Sequence, residues 1–252
     1  ILREWFNALG EVEIRPYADS SGLSDARVWQ VLCANQSYCL KCWPGEQFAP
    51  HQLELWHKLL NHVHRTGFEL LPRPQASRAG PTVVTRDGQL WDVSTWLPGL
   101  SIAREDCDAT RLRAMLRCLA DFHTAAGTFH KINVATSPGL VKRRDIVRDL
   151  MAGTADRLQH ALASQSAHPW DALLKGMLTE ISRVAPEIGD RLADAAKRSL
   201  PLQWCLRDVK CDHMLFAGDD VCGLVDYGAA AIDSVAGDVA RLAGSVCGDR
   251  PT

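Results

Sequence analysis

Two runs rich in β-branched and aromatic residues, Arg27–Cys33 and Tyr38–Cys42, predict strands. The Ala34-Asn35-Gln36-Ser37 link between them suits a hairpin. Pro50 then opens a stretch in which Leu53, Trp56, Leu59, Leu60 and Val63 recur at helical spacing up to Gly67. Two shorter strand-like runs, Thr82–Thr85 and Leu90–Trp96, flank the turn residues Arg86-Asp87-Gly88-Gln89. Pro98-Gly99 interrupts the pattern and marks a boundary.

Past that boundary the periodicity turns helical. Asp108 is positioned to cap a helix with Leu112, Met115, Leu116, Leu119 and Phe122 on one side. Further helices are expected near 144–163, 170–184 and 187–199, the last two separated by Pro186 and ended by Pro201. A small β island follows, with Met214–Phe216, the turn Gly218-Asp219-Asp220, and Val221–Val225. A last helix is expected over Val235–Ser245. The pattern predicts an α+β, bilobal fold of the protein-kinase-like kind. Residues 1–98 form a β-rich N-terminal lobe with one helix, and 99–252 a mainly helical lobe holding a hairpin.

Composition narrows the functional classes. The 252 residues are 46% hydrophobic, enough for a core without staples. Lys plus Arg number 28 against 30 Asp plus Glu, a formal charge of −2 that lacks the footprint of a nucleic-acid or membrane-surface binder. No run of about 18 apolar residues offers a membrane span. The start, Ile1-Leu2-Arg3-Glu4-Trp5, has no initiator Met and no signal pattern, as in a chain begun within a longer product or trimmed. Nine cysteines, an odd number scattered through core-like segments, read as free thiols in a reducing cytoplasm. Cys39 and Cys42 have zinc-knuckle spacing but no second ligand pair, and on a strand they point to opposite faces. P-loop, dinucleotide-fingerprint and His-Glu-x-x-His motifs are all missing, which disfavours those chemistries. Lys142, Arg143, Arg144 and Arg148 read as a solvated helix face, and the histidines of 51–64 fall at mixed helical phases.

Three positions carry candidate chemistry. Asp208 follows the strand-like run Leu202–Leu206, and Asp226 comes eighteen residues later at the end of the hairpin. A strand–turn–strand between two acidic loop residues folds their carboxylates back into one site, as phosphoryl transfer requires. Two aspartates at ordinary turn positions fit the same spacing. Lys41 sits mid-strand, sharing a face with Cys39, and the next helix offers Glu54 as a partner. A solvent-facing edge lysine is the alternative. The polar turn 20–28, with Ser21 and Gly22, has backbone N–H groups suited to covering phosphates.

In order and spacing these pieces resemble the aminoglycoside phosphotransferase superfamily, which includes choline kinases and type II homoserine kinases on the protein-kinase-like fold. Arg207-Asp208 with a residue five further on is similar to the family's His-Gly-Asp loop and its Asn. Asp226-Tyr227-Gly228 resembles Asp-Phe-Gly, and Asp238-Val239-Ala240 the Asp-Leu-Ala that follows it. Leu119 to His123 resembles the family's Leu-Ala-x-Leu-His helix, and Trp96-Leu97-Pro98-Gly99 its adenine-contacting hinge.

The resemblance implies an ATP-dependent phosphotransferase acting on a hydroxyl or amine of a small molecule, with Mg²⁺. It implies Asp208 as the catalytic aspartate, Asp226 as main metal ligand, Lys41 as phosphate lysine and Glu54 as its partner. Trp96 and Leu97 would meet adenine, Ser21 and Gly22 the phosphates, while Asp238 braces the catalytic loop. Two departures stand out. His213 replaces the metal-binding Asn. Imidazole suits softer first-row ions, so His213 binds Mn²⁺ directly, reaches Mg²⁺ through water, or leaves one metal position empty. The chain also stops at Thr252, before the helices that wall the family's acceptor pocket. His213 motivates an alternative, a catalytically impaired nucleotide-binding protein acting through interactions.

Overall fold

The computed structural model describes residues 1–7, 11–17, 25–131, 133–164 and 169–248. The chain divides into two compact units, one of residues 1–131, 203–231 and 235–252, the other of 132–202 and 232–234. Neither unit has its edge at Pro98-Gly99.

The first unit opens with a 3-10 turn, Leu2–Glu4, and the strand β1 (Val12–Pro16), neither anticipated from sequence. Next come β2 (Arg27–Cys33) and β3 (Gln36–Trp43). Their turn is two residues rather than four: Ala34 and Asn35 take φ of +50° and +60°, and Cys33 already pairs with Gln36. Positive φ at both central residues matches the twist of the flanking strands, so pairing runs to the tip. The helix α1 (Pro50–Arg65) starts on proline at its first turn, where no N–H is needed. It buries Leu53, Trp56, Leu59, Leu60 and Val63 as the periodicity requires. Strands β4 (Val83–Arg86) and β5 (Gln89–Thr95) complete an antiparallel sheet of order β1-β2-β3-β5-β4.

One face of this sheet packs Val31, Cys33, Leu40 and Val93 against Leu2 and Trp5. A separate, larger core joins Trp43 and Leu90 to α1 and to the residues after 108. There the short strand β6 (Leu100–Ser101) leads into α2 (Ala109–Ala126). Asp108 caps α2 as expected, accepting from the Thr110 and Arg111 amides at 2.9 Å each. Met115, Leu119 and Phe122 are buried, but Leu116 is exposed: one residue past Met115, it lies about 100° round the helix.

The second unit holds β7 (Asn133–Thr136), which pairs with the first residues of β8 (Ser199–Cys205), and three helices. These are α3 (Pro138–Asp149), α4 (Ala155–Ser164) and α5 (Asp171–Ala195). The single helix expected over 144–163 is broken where Gly153 takes φ of +104°. Conversely, the two helices expected on either side of Pro186 are one. Proline removes one donor and crowds one carbonyl, a local defect that a helix of 25 residues packed on α3 and α4 absorbs.

Back in the first unit, a 3-10 turn (Cys211–His213) precedes β9 (Met214–Ala217) and β10 (Asp220–Leu224), which form a three-stranded sheet with β6. The short β11 (Ala231–Asp233), most of which belongs to the second unit, is followed by α6 (Val235–Cys247) of the first. Among the described residues no helix is long and apolar enough to cross a membrane, and none of the nine cysteines forms a disulfide. Cys39 and Cys42 leave β3 on opposite faces, so no knuckle forms.

Gly99 ties the segment after β5 to the small sheet. Its φ is +93°, and a Cβ there would collide with Cys222 Sγ and lie 2.9 Å from the Phe216 carbonyl oxygen. Gly99→Ala is therefore expected to cost about 2–4 kcal/mol, from the left-handed backbone and overpacking together. Thermal unfolding checks this as a Tm drop of several degrees.

Candidate active site

The hairpin expected between the two acidic loops is formed by β9 and β10. Leu206, Arg207 and Asp208 form the loop after β8, and Val225, Asp226 and Tyr227 follow β10. The Val225 amide donates to the His213 carbonyl at 2.8 Å, closing the hairpin's open end. Arg207 and Asp226 both adopt left-handed backbone, with φ of +67° and +62°. Such conformations cost non-glycine residues free energy and persist only where surrounding bonds over-determine them.

Those bonds come largely from one helix face. Asp238 on α6 is buried, and its carboxylate accepts from the Leu206 amide at 2.8 Å and the Arg207 amide at 2.7 Å. It also meets His123 Nε2 of α2 at 2.9 Å. One turn on, Arg241 forms an ion pair with Asp208 Oδ1. Asp238 and Arg241 are three residues apart and share a face of α6, so a single helix holds the loop backbone and aims the aspartate. Asp208 Oδ2 makes no hydrogen bond among the described residues. One ligand atom each of Cys205, His123 and Asp238 lies within 4.8 Å of the others, the spacing of a metal-binding group. Both Asp238 oxygens are already engaged by the loop amides and His123, which accounts for this arrangement without an ion.

His213 is buried, and its Nε2 stands 3.5 Å from Asp226 Oδ2 and 3.9 Å from Asp212 Oδ1. Burial holds its pKa below the ordinary histidine value, against the opposing pull of Asp226 and Asp212. The neutral ring is the form that ligates metal. Its Nδ1 is buried without a partner. Asp226 is half-exposed. A carboxylate and a neutral imidazole 3.5 Å apart suit a divalent cation about 2.1 Å from each atom, so the donor set fits the metal that the fold implies.

Lys41 lies on the face of β3 that looks toward α1. Its Nζ is 5.2 Å from the Trp43 ring centroid and 5.1 Å from that of Tyr227, which adjoins Asp226. Contacts thus run from Lys41 through Tyr227 to Asp226 and His213. Among the described residues no carboxylate oxygen lies within 4.0 Å of Lys41 Nζ. Glu54, partly buried on α1, is therefore not joined to it by an ion pair in this structure. At the hinge, the Trp96 amide donates to the Ser37 carbonyl at 3.1 Å and the Trp96 ring meets Tyr17 edge-on. The Leu97 amide has no hydrogen-bond partner among the described residues, and Leu97 packs by Gly223 of β10. Ser21 and Gly22 lie outside the described residues.

Two functional candidates escape the sequence reading. Arg241 has a signal in hindsight, its spacing of three from Asp238. Asp92 on β5 has another: alternation puts it with Leu90 and Ser94 on the core face, an unusual place for a charge.

The family model described as "Phosphotransferase enzyme family" matches residues 17–252. The chain belongs to this family. Among curated relatives, a homoserine kinase of Methylobacterium nodulans is 26% identical over 218 residues, covering 84% of this chain and 58% of the relative. One from Methylorubrum populi is 26% identical over 204 residues, covering 78% and 54%. The chain thus spans somewhat over half the length of these relatives. Among solved structures, an aminoglycoside phosphotransferase from Alicyclobacillus acidocaldarius superposes with a TM-score of 0.63 at 20% identity, covering 98% of this chain and 70% of that one. A spectinomycin phosphotransferase in complex with ADP and spectinomycin gives a TM-score of 0.65 at 12% identity, covering 92% and 68%. These likenesses fix the α+β, protein-kinase-like fold of this member of the phosphotransferase enzyme family.

Proposed function

We propose that the protein transfers the γ-phosphate of ATP to a hydroxyl of a small molecule. The observation that carries this reading is one constellation within a single compact unit: Asp208 aimed by Arg241, the Asp226–His213 pair, and Lys41 beside Tyr227. Membership of the family supports it, as do relatives named for phosphorylating homoserine or spectinomycin.

In this reading Asp208 accepts a hydrogen bond from the acceptor hydroxyl through its unengaged Oδ2. It takes the hydroxyl proton as the new P–O bond forms and the bond from the γ-phosphorus to the β-phosphate's bridging oxygen breaks, with ADP leaving. Arg241 holds the other oxygen and fixes the carboxylate's direction. Lys41 neutralises phosphate charge, and the Leu97 amide meets adenine at the hinge. Asp226 and His213 would hold a divalent ion, which when bound would offset negative charge on the phosphates. Most of the rate then comes from positioning and charge neutralisation. The functional division at residue 98, nucleotide side before and acceptor side after, is part of the same reading.

Coupled measurement of ADP formation across a panel of hydroxyl and amine acceptors, homoserine and aminoglycosides included, tests it. The expected result is acceptor-dependent turnover. Nucleotide binding with no transfer to any acceptor would instead favour the interaction-only alternative, which rests on His213 alone. His213 itself yields a sharper expectation. Imidazole favours Mn²⁺ over Mg²⁺, so His213→Asn lowers the ratio of Mn²⁺- to Mg²⁺-supported turnover several-fold. Titration of Mn²⁺ by electron paramagnetic resonance checks that the change lies in metal affinity.

A further inference from the structure

The sheet face that carries Lys41 also carries a buried carboxylate with no role in the reading above. Asp92 stands directly opposite Lys41 in the β3–β5 ladder, so the two side chains leave the same face. Asp92 is fully buried. Its Oδ2 accepts from Trp43 Nε1 at 2.5 Å and faces His57 Nε2 at 3.8 Å, while Oδ1 has no partner. The His57 Nε2 and the Tyr227 hydroxyl are likewise buried without partners. A buried carboxylate with a single hydrogen bond calls for a nearby cation, because an uncompensated charge in the interior is strongly destabilising.

Two groups are in position to supply it. His57 is held below its ordinary pKa, chiefly by burial, so at neutral pH it brings a dipole rather than a charge. Its Nδ1 lies 2.7 Å from the Thr82 hydroxyl. With that hydroxyl donating to Nδ1, the ring proton sits on Nε2 and points toward Asp92. Lys41 is the other candidate. Its ammonium stands over the ring of Trp43, the same residue that donates to Asp92, and over Tyr227. Both charges act on the same neighbours, Cys39 and His57; burial in this environment pushes the Cys39 thiol up to about 11. A carboxylate behind low-dielectric walls exerts its field over a longer range than the partly exposed Glu54 does.

We propose that Asp92 is the positioning carboxylate for Lys41: from across the β3–β5 ladder it supplies the counter-charge that keeps the ammonium between Trp43 and Tyr227, beside Asp226. The proposal rests on the phosphate-binding role given to Lys41 above. Trp43 fixes the carboxylate through its Nε1–H, and the carboxylate positions the lysine.

Calorimetric titration with Mg·ADP and, separately, with adenosine tests this. Wild type that binds neither ligand sinks the phosphotransferase reading itself, independently of Asp92. Given binding, Asp92→Asn is expected to weaken ADP about tenfold and adenosine less than twofold, because only the phosphates meet Lys41. Glu54→Gln is expected to cost less than Asp92→Asn. Equal losses for ADP and adenosine would mark Asp92 as merely structural, and a larger effect of Glu54→Gln would return the lysine to α1. Should Asp92→Asn not fold, Lys41→Met and Lys41→Met/Asp92→Asn answer by stability. Removing Lys41 strands the carboxylate, so the double variant is expected to melt several degrees above Lys41→Met. A double variant no more stable than Lys41→Met overturns the pairing.

Discussion

Asp208→Asn is expected to lower kcat by roughly 10²–10⁴-fold, the range for losing a positioned general base. Asparagine keeps the shape and can still accept from Arg241, but it cannot take a proton from an acceptor hydroxyl. The ion pair it loses is surface-accessible, so stability should change by less than about 1 kcal/mol. ADP affinity should stay within about twofold, because in the proposed reading Asp208 acts on the acceptor rather than the nucleotide. Single-turnover kinetics with the best acceptor, alongside an ADP titration, separates the two quantities. A variant retaining a tenth or more of wild-type kcat would remove Asp208 from the proton-accepting role.

The second large effect concerns stability. Asp238→Ala deletes the acceptor for two loop amides and for His123, in a place that water does not reach. Each unpaired buried donor costs about 1–3 kcal/mol, and breaking a buried charged network about 3–5 kcal/mol in all. Against a typical total of about 5–15 kcal/mol, that leaves a marginal fold. At about 2–4 °C per kcal/mol, the Tm should fall by roughly 6–20 °C. Turnover should fall too, since Arg207 and Asp226 hold strained backbone that only a complete set of bonds maintains. Arg241→Ala offers the contrast: on the same helix face but half-exposed, it should shift the melt little while loosening the aim of Asp208. A melt of Asp238→Ala within 2–3 °C of wild type, equivalent to about 1 kcal/mol, would show that the loop finds other acceptors.

How far the site could be read in advance depends on where each signal resides. The hairpin between Asp208 and Asp226 is legible because pairing of two adjacent strands across a tight turn is a local feature. The bracing role implied for Asp238 agrees with the bonds it makes. Lys41 was placed on the correct face by alternation alone. Its surroundings were not. Alternation and sequence nearness offer Glu54 as its partner; strand register adds that the rings of Trp43 and Tyr227 line the ammonium and that Asp92 is its neighbour across the ladder. At Pro186 the structure departs from the local signal. A strong local signal for a break was overridden because α5 packs along its length on α3 and α4, and one missing donor is a small defect beside that contact. Leu116 shows the limit of counting apolar residues: it belongs to the periodic run by composition but not by angle.

Sequence by itself determined the order β2, β3, α1, β4 and β5 in the first unit, the capping of α2, and the motif order that places the chain in its family. These depend on interactions within a turn, a helix repeat or a strand's two faces, all spanning a few residues. Tertiary structure alone decided which carboxylate stands across from Lys41, that Arg241 would aim Asp208, and that His213 would lie within reach of Asp226. Strand register and the rotation of a helix about its axis are set by what packs on them from far along the chain. Periodicity specifies which face is buried, but only the packed partner specifies what that face meets.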